Sequence, residues 1–313
     1  MEIACHAKVN LTLDVLDRRP EDGYHNIRSV MVPVSLHDRL ELEGREAGIV
    51  FECQPPVTGG LEQNLAYRAA VLLQQATGCR LGAAIRLHKA IPVAGGLAGG
   101  STDAAGVLLG LNQLWGTGLS ERELAELAVR LGADVPFFIW SRPARVEGIG
   151  EQVTPIAMAE PLWLVLATPD VAKSTGRVYE WFDQLPDVHP RPDTGAMEAA
   201  LARGDLRAVG RALCNVFEQV MLPRHPEIAR LKAAMLAAGA LGAVMSGAGP
   251  TVLGLVPDRE AGSRLLAQVR PLAREAWLVR TVGQGASGAP EPAAAGWLRR
   301  SGTGGAGMCC APA

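Results

Sequence analysis

Apolar and polar positions change period several times along the 313 residues, and each change marks an element. AKVNLTLDV (7–15) alternates in part, which predicts a strand. Pro20 and Asp22-Gly23 place a turn in RRPEDGYHNIRSV. VMVPVSLHDRLELE then reads as extended structure, in one strand or two. From Asn64 to Gln75 the period lengthens, so that Leu65, Ala69, Leu72 and Leu73 share a helical face. AAIRLHKAIP alternates again and ends at Pro92, as a strand leading into a loop. A helix is predicted from about Ser101 to Trp115, with Ala104, Leu108, Leu111 and Trp115 along one stripe. LSERELAELAVRLG is a second helix, with Ser120 and Glu123 at capping-box spacing and Gly132 as its stop. ADVPFFIW is a buried segment.

A second half starts near Pro161. PLWLVLATP is a short buried strand, and 194–212 and 226–238 have helical spacing. GAVMSGAGPTVLGLV reads as strand, glycine loop and strand, and a last strand falls near 277–281. From Ala233 to Val256 no residue is charged, a length that would cross a bilayer. Gly239, Gly242, Gly247, Gly249, Pro250 and Gly254 interrupt it, however, so it is read as helix end, turn and buried strands. Beyond about Gly283 the chain is rich in Gly, Ala, Pro and Ser without a period. Such a segment buries too little apolar surface to offset its ordering entropy, and disorder is expected over 284–313.

Composition narrows the function. Residues are 48% hydrophobic, enough for a sizeable core, and the net charge is −2 with charges mixed along the chain. This gives no electrostatic case for nucleic acid or for an anionic membrane surface. The six cysteines form no C-x-x-C pair and none sits near a histidine at metal spacing. Scattered thiols fit a reducing compartment. MEIACHAKVNLTL lacks the basic start and apolar run of a secretion signal, so a cytoplasmic protein is expected.

The chemistry concentrates in IPVAGGLAGGSTDAA (91–105), where four glycines fall between Gly95 and Gly100. Glycine amides are open to close approach and, before a helix start, form an anion site. Ser101 and Thr102 follow at the helix start, where a hydroxyl can reach a phosphate oxygen or a bound Mg²⁺. No lysine follows the glycines, so this is not the common phosphate loop. No acidic residue about twenty positions on supports a dinucleotide site. A glycine turn used only for close packing stays open on composition alone.

The motif PVAGGLAGGSTDAA resembles the central motif of the GHMP kinases, a family of small-molecule kinases. AKVNLTLDVLDRRPEDGYHNIRSV, LGADVPFFIW, EGIGEQVTP and MSGAGPTVLGL (245–255) narrow the resemblance to the branch acting on 4-diphosphocytidyl-2-C-methyl-D-erythritol. The likeness runs from about residue 4 to 281. It implies an α+β, two-lobed fold with a ribosomal-protein-S5-like ATP-binding lobe and a ferredoxin-like C-terminal lobe. The nucleotide-binding domain would span 1–158 and the C-terminal kinase domain 159–283. The implied reaction is ATP-dependent phosphorylation of the acceptor's 2-hydroxyl in non-mevalonate isoprenoid biosynthesis, with Mg²⁺, by a monomer or weak homodimer. A homoserine or phosphomevalonate type of kinase is the nearest alternative, but those lack Asp-Gly-Tyr-His after Lys-x-Asn. A non-catalytic nucleotide-binding protein of the same fold is another; it would be favoured by loss of Lys8 or Asp134, and both are present.

The resemblance also assigns roles. Pro92, Val93, Ala94, Gly95, Gly96, Leu97, Ala98, Gly99, Gly100, Ser101 and Thr102 would bind ATP, with Ser101 or Thr102 facing the metal. The family usually has glycine at Ala98; a methyl group fits there at negative φ and is strained in the left-handed region. Asp134, in GADVP, matches the base that takes the hydroxyl proton. Read from its residues alone it is also a turn or helix-capping aspartate. Lys8 matches the lysine beside that base, against a strand-edge lysine. Asn10, Tyr24 and His25 match acceptor-binding residues, with Tyr24 stacking on cytosine and Tyr179 on its opposite face; turn packing is the other reading of Tyr24-His25. Ser246, Gly247 and Gly249 would line the acceptor's phosphate end, or form a plain hairpin.

Overall fold

The computed structural model describes residues 1–56, 60–283 and 298–299. The first part comprises β1 (Glu2–Arg18), β2 (His25–Arg45), β3 (Ile49–Gln54), α1 (Leu65–Thr77), β4 (Gly82–His88), α2 (Gly99–Trp115), α3 (Glu121–Val129), α4 (Val135–Trp140), β5 (Ala144–Gly148) and β6 (Gln152–Pro155). After a crossing at 156–162 come β7 (Trp163–Thr168), α5 (Thr175–Phe182), α6 (Thr194–Arg203), α7 (Leu206–Ala212), β8 (Cys214–Asn215), α8 (Glu218–Arg224), α9 (Pro226–Ala237), β9 (Gly242–Met245), β10 (Val252–Val256), α10 (Arg259–Val269) and β11 (Glu275–Arg280). The segment expected to be disordered lies outside the described residues, except for β12 (Leu298–Arg299), two residues antiparallel to the start of β1.

The first sheet runs β1-β2-β4-β3, with β5 and β6 extending from β2 and β8 parallel to β1. The second runs β11-β7-β10-β9, all antiparallel. With α5–α9 between β7 and β9, and α10 between β10 and β11, this is a ferredoxin-like arrangement. The α+β class that the resemblance implied is the one observed.

β1 and β2 are buried on both faces, and this is where the alternation of AKVNLTL is lost. Ile3, Cys5, Leu13 and Val15 pack in the core under α1–α4, whereas Ala7, Val9 and Leu11 pack in a second core against β7, β9 and β10. The parity changes twice because the β1–β2 register slips between His6 and Lys8 and again between Asn10 and Thr12. A one-residue bulge turns the following side chains to the other face. Between the two bulges, Lys8 and Asn10 take the face that otherwise carries core residues.

Local signals explain most helices. Asn64 caps α1 by accepting from Ala66 N at 2.9 Å. The Ser120–Glu123 capping box forms as predicted, although α3 ends at Val129, before Gly132. The buried segment 135–140 is helix α4, with Pro136 in its first turn. The single helix expected over 194–212 is broken by Gly204, in the left-handed conformation, and Asp205, which caps α7. α2 buries Leu108, Leu111 and Trp115 fully, and each such side chain contributes roughly 1.5–3 kcal/mol. β3, α5, α8 and α10 were not anticipated from the apolar spacing.

Candidate active site

A cavity of about 820 Å³ is walled by the glycine segment, residues of β1 and β2, the α4 N-terminus, α5 and the loop at Gly247–Ala248. That is the size range of small-molecule sites. Its floor follows from the two bulges. At the first, Lys8 lies opposite Pro33, which has no N–H, and the Lys8 amide leaves the ladder to donate to Leu97 O at 3.1 Å. At the second, the Asn10 amide donates to Ser246 Oγ at 3.2 Å, and Ser246 Oγ donates to Gly96 O at 3.2 Å. One strand thereby holds both glycine loops in place through main-chain groups.

The side chains between the bulges form a connected set. Lys8 Nζ donates to Asn10 Oδ1 at 2.7 Å, and Asn10 Nδ2 donates to Ser29 Oγ at 2.8 Å. The Lys8 side chain is only 4% exposed, so it is no strand-edge lysine. Its ammonium lies 3.7 Å from Asp134 Oδ2. Asp134 occupies the N-cap position of α4, but its side chain makes no capping bond. The carboxylate is instead on the cavity wall, 35% exposed and open to an incoming group.

The glycine segment meets the requirements for an anion cradle. The amides of Gly96, Leu97, Ala98, Gly99 and Gly100 have no backbone acceptor among the described residues, and the last two begin α2, whose first-turn N–H groups lack intrahelical partners. Gly96 has φ +81, and a side chain there would run into the carbonyls of Ser246 and Gly249. Ala98 adopts φ 58, ψ 37, so the negative φ that would have suited its methyl group is not what this loop uses. Left-handed geometry costs an alanine about 1–2 kcal/mol. Of the two hydroxyls, Ser101 faces the cavity; Thr102 is 1% exposed and packs inward, as does Leu97. In the second loop Gly247 and Ala248 reach the cavity, whereas Ser246 and Gly249 do not line it: Ser246 is spent holding Asn10 and Gly96, and the Gly249 amide bonds Ser246 O.

At the other end, Tyr24 is 59% exposed on the β1–β2 turn, its amide held by Asp22 Oδ1 at 3.0 Å. Tyr24 and Tyr179, expected on opposite faces of the cytosine, both line the cavity. His25 stacks on Tyr179, ring centroids 5.1 Å apart at 26°, while its Nε2 contacts Asp183 Oδ1 at 2.7 Å. Phe217 packs edge-on to Tyr179 at 4.8 Å. Burial, and then the Asp134 charge, push the Tyr179 phenol up to about 12, so it stays neutral.

Three further charged groups escaped the sequence reading. Lys89, just before the loop, bonds Asp38, with Asp103 Oδ2 at 2.6 Å on its other side. Asp38 also accepts from Ala90 N at 2.5 Å and Ile91 N at 2.8 Å. Burial pulls the Lys89 ammonium down, but Asp103 and Asp38 together outweigh it and hold it above its ordinary value. Burial and the neighbouring Asp38 carboxylate raise Asp103 well above the carboxylate range against the pull of Lys89. The signal for this network was the charge pattern HKAIP…STDAA around the glycines; its third member, Asp38, is 51 positions from Lys89 and had none. Lys173 also lines the cavity.

Comparison with known proteins agrees with this geometry. The family models "GHMP kinases N terminal domain" and "GHMP kinases C terminal" match residues 64–142 and 197–272. A 4-diphosphocytidyl-2-C-methyl-D-erythritol kinase of Symbiobacterium thermophilum is 79% identical over 282 residues, 90% of this chain and 100% of that protein. One of Pelotomaculum thermopropionicum is 45% identical over 277 residues, 88% of this chain and 96% of that protein. The crystal structure of a 4-(cytidine 5'-diphospho)-2C-methyl-D-erythritol kinase superposes with a TM-score of 0.79 at 38% identity, covering 91% of this chain and all of that one. A homoserine kinase from Cytophaga hutchinsonii, at 18% identity and TM-score 0.71 over 90% of this chain and 93% of its own, shares the fold.

Proposed function

The chain belongs to the GHMP kinases, in the branch formed by the 4-diphosphocytidyl-2-C-methyl-D-erythritol kinases, and from that premise we propose that it transfers the γ-phosphoryl group of ATP to the 2-hydroxyl of 4-diphosphocytidyl-2-C-methyl-D-erythritol. The observation that carries the reading at the level of residues is Asp134. Its carboxylate caps nothing, stands 3.7 Å from the Lys8 ammonium and lines the same cavity as the open amides of the glycine segment.

In this reading the amides of Gly96–Gly100 and the α2 N-terminus hold the triphosphate. Asp134 accepts the acceptor's hydroxyl proton as that oxygen bonds the γ-phosphorus and the bond to the ADP oxygen breaks. Lys8, held by Asn10 Oδ1, offsets charge on the transferred phosphoryl oxygens. The open amides and the Ser101 hydroxyl fit a nucleotide carrying Mg²⁺, which when bound would neutralise phosphate charge; Ser101 is the hydroxyl that would reach it. His25, Tyr179 and Tyr24 would receive the cytosine. A cytoplasmic enzyme working as a monomer or weak homodimer completes the reading.

The test is ADP release from purified protein with Mg-ATP and the cytidyl acceptor, beside mevalonate and homoserine. Turnover is expected with the first alone. Asp134→Asn should bind ATP normally and lose roughly 10²–10⁴ in kcat, the usual worth of a positioned base. Near-wild-type turnover by that variant would remove Asp134 from the chemistry.

A further inference from the structure

The cavity holds a cation that the reaction as described does not use. Lys173 stands on the connection from β7 to α5 and lines the cavity wall. Its Nζ donates to Thr175 Oγ1 at 3.3 Å, and no carboxylate of the described residues lies within ion-pair distance. Of the acids nearest in sequence, Asp170 pairs with Arg274 and Asp183 with His25 and Arg18, while Glu180, which also lines the cavity, makes no ion pair with Lys173. A half-buried ammonium without a counter-charge is costly, and here burial, followed by repulsion from Lys8, brings its pKa down to about 8. Lys8 and Lys173 both line this cavity, and of the two only Lys8 has a carboxylate, Asp134, at ion-pair distance.

The position of Lys173 says which anion would complete it. The open amides that cradle the donor nucleotide belong to the first part of the chain. Lys173 belongs to the same stretch as Tyr179 and Asp183, which form the aromatic end with His25. Gly176, in the first turn of α5, also lines the cavity and has no side-chain atom to cover its amide. Lys173 precedes α5 by two residues and Tyr179 lies little more than one turn into it, so their Cα atoms are at most about 13 Å apart. A ligand with its base on Tyr179 and its reacting hydroxyl at Asp134 has its middle portion beside Lys173.

We propose that Lys173 is a specificity-determining residue that binds the diphosphate of the acceptor, so that nucleoside-diphosphate-linked alcohols are accepted over uncharged ones. This rests on the kinase reading above. Lys173 then acts through acceptor binding, whereas Lys8 acts on the transferred group.

The experiment compares wild type, Lys173→Met and Lys173→Arg in two assays. Steady-state kinetics with ATP and the cytidyl acceptor give KM for each substrate; calorimetry gives the affinity for cytidine 5'-diphosphate relative to cytidine. Lys173→Met should raise the acceptor KM roughly 10- to 100-fold, as loss of a charge-assisted hydrogen bond does, with a smaller effect on kcat and none on the ATP KM. The diphosphate-over-cytidine preference should fall by a similar factor, and Lys173→Arg should restore most of both. An unchanged acceptor KM, equal losses for ATP and acceptor, a loss confined to kcat, or an unchanged preference in the calorimeter would overturn the proposal. Absence of wild-type turnover with the cytidyl acceptor would instead sink the kinase reading, and the calorimetric preference would still decide the role of Lys173.

Discussion

Substituting Gly96 tests how the two glycine loops meet. Gly96 sits at φ +81, where an alanine costs about 1–2 kcal/mol. A Cβ there would lie 3.0 Å from Gly249 O and well inside contact with Ser246 O, both backbone atoms. The loops would have to part, and the Ser246 Oγ to Gly96 O bond (3.2 Å) and the Thr251 N to Gly95 O bond (3.3 Å) would go with them. At about 1 kcal/mol for each bond, Gly96→Ala should destabilise the protein by on the order of 4 kcal/mol. At roughly 2–4 °C per kcal/mol for a chain of this size, the melting temperature should fall by about 10 °C. Gly100→Ala is the control: its nearest added contact is Leu65 Cδ1 at an ordinary 3.7 Å, and alanine favours the helix it would join by about 1 kcal/mol. Thermal unfolding by circular dichroism reads both. If Gly96→Ala melted within about 2 °C of wild type, or no lower than Gly100→Ala, the interlocking of the loops would be refuted.

Other variants probe the remaining parts of the site. Lys89→Met leaves Asp38 and Asp103 buried without their cation and should cost about 3–5 kcal/mol in denaturant unfolding, part of which Asp103→Asn added to it should recover. Tyr179→Ala should raise the acceptor KM more than Tyr24→Ala does, since Tyr179 is packed between His25 and Phe217 while Tyr24, also on the cavity wall, is 59% exposed; the reverse order would make Tyr24 the stronger cytosine contact. Burial, reinforced by His37, lowers His6 from 6.5 to about 4. Between those values the unfolded chain binds a proton that the folded one excludes, so stability should fall as pH drops through that window, by up to about 3 kcal/mol. Unfolding free energies at pH 7 and pH 4.5 should therefore differ more in wild type than in His6→Gln, and equal differences would count against it.

What the sequence made legible was what short-range chemistry determines. The Ser120–Glu123 box, the glycine segment opening α2 and the strand–loop–strand at 242–256 all appear where their local spacing puts them. The long strands were legible only as fragments. Their bulges invert the in–out pattern at Lys8 and again beyond Asn10, and a period-2 reading breaks at such points. Ala98 could not be judged before its φ was known. Thr102 and Ser101 are indistinguishable as hydroxyls at a helix start, and only the 100° step between them turns one inward. Tyr24 and His25 are likewise adjacent, and the turn that ends between them sends their rings to different places. Lys173 carried no motif at all; its meaning comes from Lys8, 165 positions earlier and brought close only by the fold.

The short strand β8 has a bearing on how this chain could be cut. Cys214–Asn215, from the later half, pairs with Thr12–Leu13 of the first strand, and Asn215 Nδ2 then holds the carbonyls of Met245 and Gly247 at 2.7 and 2.8 Å. Val9 and Leu11 likewise share one apolar cluster with Leu164 and Leu253. Severed at the crossing after β6, each fragment would expose an oily face and lose part of a sheet. Neither would be a self-sufficient module, and activity should return only when the two are co-expressed and reassemble.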